Sequence, residues 1–177
     1  DYMLPAYKET GEDKELVGPG SKSLFFRFDP KTKTWSESSR IKSHNGNIQP
    51  AGVEIDKDYM VAYCRRGGGY GRDEKGVIVR SESHDGGRTW SEGLDSQFPN
   101  PNAAMDFLKL QSGNLLLVYN DSPNSRTPLT VALSTDKDKS YPYRKNIMEP
   151  PRRNLGYPYA IQTRDGKIHV IFTEGRT

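Results

Sequence analysis

The chain has one cysteine, Cys64, and three histidines, His44, His84 and His169, in 177 residues. A single thiol forbids an internal disulfide and cannot build a thiolate metal cluster, and the histidines show no metal-ligand spacing. Cys64 reads as a small buried hydrophobe. No apolar stretch approaches the ~20 residues that a membrane-spanning helix needs. The 26 Lys and Arg against 23 Asp and Glu leave a net charge of +3 without any basic block, so nothing marks a nucleic-acid footprint. Neither nucleic acid nor a membrane is expected as a partner, and no metal or cofactor is called for. Contiguous Ser83-His84-Asp85 is not a catalytic triad, whose members meet through folding.

Turn chemistry is plentiful by contrast. The 17 Gly and 12 Pro exceed the usual share and favour a turn-rich, strand-built protein. Three segments superpose: Asn47 to Arg65, Asn102 to Asp121 and Gly156 to Glu174. Each reads as strand, tight turn, strand, with turns at Asp56-Lys57-Asp58, Gln111-Ser112-Gly113-Asn114 and Arg164-Asp165-Gly166-Lys167, where Gly and Asx residues supply positive φ. The outgoing strands, MVAYC, LLLVY and IHVIF, are short apolar runs suited to a buried sheet position. Further hairpins lie between them, and no helical pattern competes.

Two hairpins, hence four strands, therefore recur about every ~50 residues, the period of a β-propeller blade. The expected fold is all-β, about three and a half four-stranded blades in one domain over residues 1–177. A complete β-sandwich of about fourteen short strands is the alternative. A chain that begins Asp1-Tyr2-Met3 and carries an unclosed set of blades is expected to be the C-terminal part of a longer protein, with the remaining propeller blades as its partners.

Ser83-His84-Asp85-Gly86-Gly87-Arg88-Thr89-Trp90 fits the pattern S-x-D-x-G-x-T-W at every fixed position. Asp85 can accept backbone N–H bonds inside the turn, Gly87 can take positive φ, Ser83 and Thr89 can bond locally, and Trp90 can bury its large face between sheets. The box reads as a staple of the fold, so Asp85 is not assigned to catalysis. Degenerate copies stand at Ser134 to Tyr141 and at Asp29 to Trp35.

With this Asp box on a four-stranded repeat, the sequence resembles the sialidase (neuraminidase) superfamily, in particular its BNR-repeat branch. The resemblance is good from Asn47 onward and weaker before it. It implies a six-bladed propeller, of which this chain would form roughly the second half. In that family a Glu begins an inner strand and an Arg ends the next one sixteen residues on; Gln49 and Arg65 hold that spacing here. Arg126 stands ten residues before Asp136, as a second family Arg does before its Asp box, and Tyr157 stands eight residues before Asp165, where the family has its nucleophile.

Blade topology places His44, Gln49, Arg65, Asn102, Asp121, Arg126, Tyr157, Glu174 and Arg176 on the face opposite the Asp boxes. That face also carries the irregular loops, where binding chemistry tends to sit. The resemblance implies that Arg65 and Arg126 bind the carboxylate of an acidic sugar bidentately. Tyr157 would attack the anomeric carbon, since that same carboxylate repels an anionic nucleophile. His44, Asn102, Asp121, Glu174 and Arg176 would line the sugar site. Gln49 departs from the pattern, because an amide cannot accept the phenolic proton; Glu9, Glu174 or His44 are the substitutes on that face. The family's acid/base Asp and remaining Arg belong to earlier blades.

The function expected is thus a sialidase-like exo-glycosidase acting on sialylated or other acidic glycans. A catalytically silent glycan-binding propeller is one alternative. A propeller-type polysaccharide lyase, pairing Tyr157 with His44 and an Arg, is the other. Glycan-directed work favours a secreted or periplasmic setting.

Overall fold

The computed structural model describes residues 2–9, 17–69, 71, 73–151 and 153–176, with the side chain of Arg176 outside that set. No helix occurs among the described residues, so none is long and apolar enough to cross a membrane. Four antiparallel sheets follow one another along the chain. The first contains β1 (Tyr2–Lys8), β2 (Lys22–Asp29) and β3 (Thr34–Glu37). The second contains β4 (Asn47–Asp56), β5 (Tyr59–Arg66), β6 (Val77–Ser83) and β7 (Leu94–Pro99). The third contains β8 (Asp106–Lys109), β9 (Leu115–Asn120), β10 (Leu129–Ser134) and β11 (Tyr143–Met148), and the fourth β12 (Arg153–Gln162) and β13 (Ile168–Arg176).

The apolar runs explain why the sheets stack face to face in series. Side chains alternate across a strand, so a strand buried on both faces must be apolar throughout. In β5, Val61 and Tyr63 enter the core shared with the third sheet, whereas Met60, Ala62 and Cys64 pack with Phe25 and Ile41 of the first. In β9, Leu115, Leu117 and Tyr119 face the second sheet, while Leu116 and Val118 pack against Leu155 and Ala160 of the fourth. Each such side chain contributes about 1.5–3 kcal/mol of burial. A sandwich offers each sheet one inner face, whereas the second and third sheets here have two. The fold is therefore a propeller of four-stranded blades. Burial raises the Cys64 thiol to about 12, consistent with an inert packing role.

The register of the repeat is fixed by three equivalent hydrogen bonds. Asn47 N–H donates to Ser21 O at 3.1 Å, Asn100 N–H to Gly76 O at 2.9 Å, and Leu155 N–H to Arg126 O at 2.9 Å. Positions 47, 100 and 155 are thus equivalent, and the superposition starting at Asn102 and Gly156 slips by two residues and by one. The same register matches β2 to β6 and β10, the third strands of their sheets. The first sheet therefore holds strands two to four of a blade.

Hairpin turns gather on one face, where Gly86 N–H donates to Asp58 O at 2.8 Å and Lys137 Nζ reaches Asp56 of the neighbouring blade at 2.7 Å. Within the turn after β6, Ser83 Oγ donates to Asp85 Oδ1 at 2.8 Å, and the backbone N–H groups of Arg88 and Thr89 converge on Asp85 at 2.9 Å. Thr89 Oγ1 donates to the other carboxylate oxygen at 2.6 Å. Burial opposes the Asp85 charge, but these bonds, led by Thr89, outweigh it and hold the carboxyl well below its usual range. Gly87 lies at φ 79°, with Met60 Sδ 3.0 Å from where a Cβ would stand. Trp90 stacks on Phe25 of the first sheet at 5.0 Å. The copy at Asp29 to Trp35 is looser: Trp35 is 58% exposed and rests only on Phe28 of its own hairpin among the described aromatic pairs.

The copy at Ser134 to Tyr141 has Asp138 in the place of Gly87, also at positive φ, 74°. Its side chain is 1% exposed and accepts bonds from Tyr63 Oη at 2.8 Å, Tyr141 Oη at 2.6 Å and Arg80 Nε at 2.8 Å. Tyr63 and Arg80 belong to the second sheet, so one carboxylate clamps two blades. Burial works against the Arg80 charge, yet Asp138 more than offsets it and raises the Arg80 pKa; burial and then Asp138 raise that of Tyr63. Asp138→Gly restores the box consensus and suits the backbone, but strands three donors. It is expected to destabilise the protein by about 3 kcal/mol or more in denaturant unfolding; an unchanged midpoint contradicts the clamp.

Candidate functional site

On the face opposite these turns, one residue near the start of β4 and of β12, and one shortly before β8, share an unusual backbone state. Gln49, Asn102 and Tyr157 lie at φ 51°, 55° and 51°, each two residues after the equivalent positions 47, 100 and 155. Non-glycine residues seldom adopt this left-handed state, and β-bulges beside active sites re-aim side chains. Pairing is interrupted at two of these points, between Ile48 and Pro50 and between Gly156 and Tyr159. Gln49-Pro50 and Tyr157-Pro158 share the reason: proline lacks an N–H for the ladder and keeps its predecessor out of the right-handed helical region.

Gln49 and Tyr157 line one hollow of about 430 Å³ together with Tyr7, Phe25, Asp106 and Tyr159. Its wall draws on β1, β2, β4 and β12 and on the segment leading into β8, so the four sheets converge on it. Tyr157 is 41% exposed. The Arg126 guanidinium stands over its ring, 5.8 Å from the centroid, within the range of a cation–π contact. Gly156 makes this approach feasible, because a Cβ there would stand 3.3 Å from Arg126 Nη1.

Arg65 reaches the same group from behind. It is 1% exposed; its Nε donates to Asn102 Oδ1 at 2.7 Å and its Nη1 to Gln49 Oε1 at 3.2 Å. Asn102 is fully buried, and its backbone carbonyl accepts from Arg126 Nη2 at 3.1 Å. Arg65, Gln49, Asn102, Arg126 and Tyr157 thus form one connected set from three blades. Two of them face inward to the protein, however: Arg65 and Asn102 hold their neighbours in place.

The other expected site residues lie elsewhere. Exposed His44, on the 43–46 link that leads into β4, lines a separate cleft of about 620 Å³ with Arg66, Asp73 and Lys75. Asp121 sits near Tyr119, whose phenol pKa is raised by burial and then by the Asp121 charge. Exposed Glu174 lies 3.5 Å from Arg153. None of the three lines the hollow around Tyr157. The side chain of Arg176 lies outside the described residues.

Asp106 was not anticipated. It is the one carboxylate among the described residues lining the hollow, and its Oδ2 accepts from Ala160 N–H of the next inner strand at 2.7 Å. Burial raises its pKa against the opposing hydrogen bonds of Ala160 and Phe107. A lone acid within the apolar run Ala103-Ala104-Met105-Asp106-Phe107 was the available signal. No group of three or more His, Cys, Asp or Glu suited to a metal ion occurs among the described residues.

Similar folds are found among sialidases. The NanB sialidase of Streptococcus pneumoniae, solved with a chlorobenzylammonio-ethanesulfonate, superposes with TM-score 0.66 at 20% identity over 85% of this chain and 24% of its own. The intramolecular trans-sialidase of Ruminococcus gnavus, in complex with oseltamivir carboxylate, gives 0.64 at 16% identity over 96% of this chain and 36% of its own. An ulvan lyase, from a family of polysaccharide lyases, gives 0.62 at 14% identity over 90% and 42%. The chain thus has the fold of a sialidase-type propeller and spans between about a quarter and two fifths of these proteins' lengths. Residues 1–170 match the BNR repeat-like domain, and the chain belongs to that family. No curated protein matches it.

The buried guanidinium gives a direct check. Arg65→Lys keeps the charge but cannot direct two N–H groups at Asn102 and Gln49, and is expected to cost about 1–3 kcal/mol in thermal unfolding. An unaltered melting curve contradicts the bracing role.

Proposed function

We propose that this chain supplies the nucleophile-bearing half of a sialidase-like exo-glycosidase acting on terminal acidic sugars, sialic acid in particular. The observation that carries it is the guanidinium of Arg126 over the half-exposed phenol of Tyr157, at the rim of a hollow where the sheets converge. Arg126 would hold the sugar carboxylate by charge-assisted hydrogen bonds. Tyr157 Oη would attack the anomeric carbon as the glycosidic C–O bond breaks, giving a glycosyl-tyrosine that water then hydrolyses with net retention. The phenol must lose its proton in this step. Gln49 cannot take it, and Asp106 would be the acceptor, as a carboxylate in the same hollow whose burial favours protonation. The donor to the leaving oxygen would come from blades beyond these residues, and the whole enzyme would be about six blades around one channel.

The likeness to sialidases supports the reading at the level of fold. The lyase alternative keeps the likeness to an ulvan lyase at the level of fold, but His44, which it pairs with Tyr157, lines the other cleft. The binding-module alternative keeps one specific observation in its favour: Gln49, a neutral amide braced by Arg65, at the place of a base.

In the complete natural chain, Tyr157→Phe is expected to abolish release of the fluorophore from a fluorogenic sialoside while leaving sialoside affinity within about threefold. Turnover by the Phe variant overturns the nucleophile assignment. Wild-type binding of the sialoside without turnover, and without unsaturated product from a uronic-acid polymer, establishes the binding-module reading instead.

A further inference from the structure

Asn102 occupies the same left-handed position as Gln49 and Tyr157 but does not line the hollow. Its side chain is fully buried, and its hydrogen-bonding capacity is directed at three chain segments. Oδ1 accepts from Arg65 Nε at 2.7 Å, the backbone carbonyl accepts from Arg126 Nη2 at 3.1 Å, and Nδ2 donates to Gly69 O at 2.9 Å. Arg65 ends β5 of the second blade, Gly69 lies in the loop that follows, and Arg126 stands before β10 of the third. Asparagine suits this place on two counts. It tolerates positive φ better than most residues, and its amide is donor and acceptor at once.

We infer that Asn102 is a positioning residue that sets the placement of the two guanidinium groups, and through Arg126 the carboxylate-binding edge beside Tyr157. Its action on the ligand rests on the function proposed above; its hold on Arg65 does not. The residue touches no substrate in this account. It fixes Arg65 through its side chain, and the side-chain bonds to Arg65 and Gly69 anchor the backbone carbonyl that holds Arg126. Asn102→Gly suits the backbone state but removes the acceptor of Arg65 Nε and the donor to Gly69, so the carbonyl facing Arg126 loses both anchors. Asn102→Asp keeps that acceptor, loses the donor to Gly69 and places a negative charge against Arg65.

The test uses the complete natural chain with isotope-labelled arginine, N-acetylneuraminic acid as acidic probe and its methyl ester as neutral control. Hydrogen exchange at Arg65 Nε, assigned with Arg65→Lys, is expected to be slow in the wild type, fast in Asn102→Gly and slow in Asn102→Asp. Affinity for the acid should fall about tenfold in both variants, while that for the ester stays within about twofold. Undiminished protection of Arg65 in Asn102→Gly overturns the inference, as does unchanged acid affinity in both variants when Arg126→Ala loses it. If wild type and Arg126→Ala are alike in not binding the acid, the proposed carboxylate site fails. The hold of Asn102 on Arg65 is then decided by exchange alone, which upholds or overturns it.

Discussion

The site depends on a backbone constraint repeated in successive blades: one residue near the start of each inner strand turns into the left-handed region at φ 51°, 55° and 51°. A strand that ran straight on would project its side chains alternately to the two sheet faces and leave the channel rim bare. The reversal turns Gln49 and Tyr157 to the hollow and Asn102 to the guanidinium groups. Strain of this kind persists only where the surroundings over-determine it. Here the surroundings are a hydrogen bond two residues earlier in each blade, the prolines that follow Gln49 and Tyr157, and the bracing of Arg65.

The rigidity behind that constraint comes from the opposite face and from the cores between sheets. Burial on both faces of β5 and β9 fixes the spacing of neighbouring blades, and the turns lock their orientation. The two well-formed boxes solve one problem with different chemistry. In the turn after β6, Gly87 lets the chain pass Met60 closely while Trp90 reaches Phe25. In the turn after β10, the equivalent residue is a carboxylate that ties Tyr63, Tyr141 and Arg80 into one buried group. At these turns apolar contact joins the first and second blades, while a polar network adds to the apolar core between the second and third.

Much of this was legible in the sequence, for identifiable reasons. The runs MVAYC and LLLVY announce strands buried on both faces, and the Gly and Asx turns between them mark hairpins. The resemblance to the sialidase pattern singled out Arg65, Arg126 and Tyr157, which the fold brings into one connected set. The sequence could not tell which of these groups face solvent: Arg65 and Asn102 are polar residues on the correct rim, yet both are turned inward. The superposition slips by two residues and by one because runs that are apolar on both faces match almost as well out of register, and only the hydrogen bonds of Asn47, Asn100 and Leu155 fix the equivalence. His44 shares the rim but lies beside the outer strands, a radial distinction that strand patterns do not carry. Asp138 escaped notice because, at a glycine position, it reads as a degraded motif when its carboxylate is the point of contact.

In the function we propose, the Tyr157 phenol forms a covalent bond to the anomeric carbon of an acidic sugar held by Arg126. This step is tested most directly by incubating the complete natural chain with a fluorinated sialosyl fluoride, which slows breakdown of the intermediate, and mapping the adduct by peptide mass spectrometry. One sugar is expected on the peptide containing Tyr157, located on that residue. Turnover of a sialoside by the same preparation, with the adduct on another residue, would contradict it.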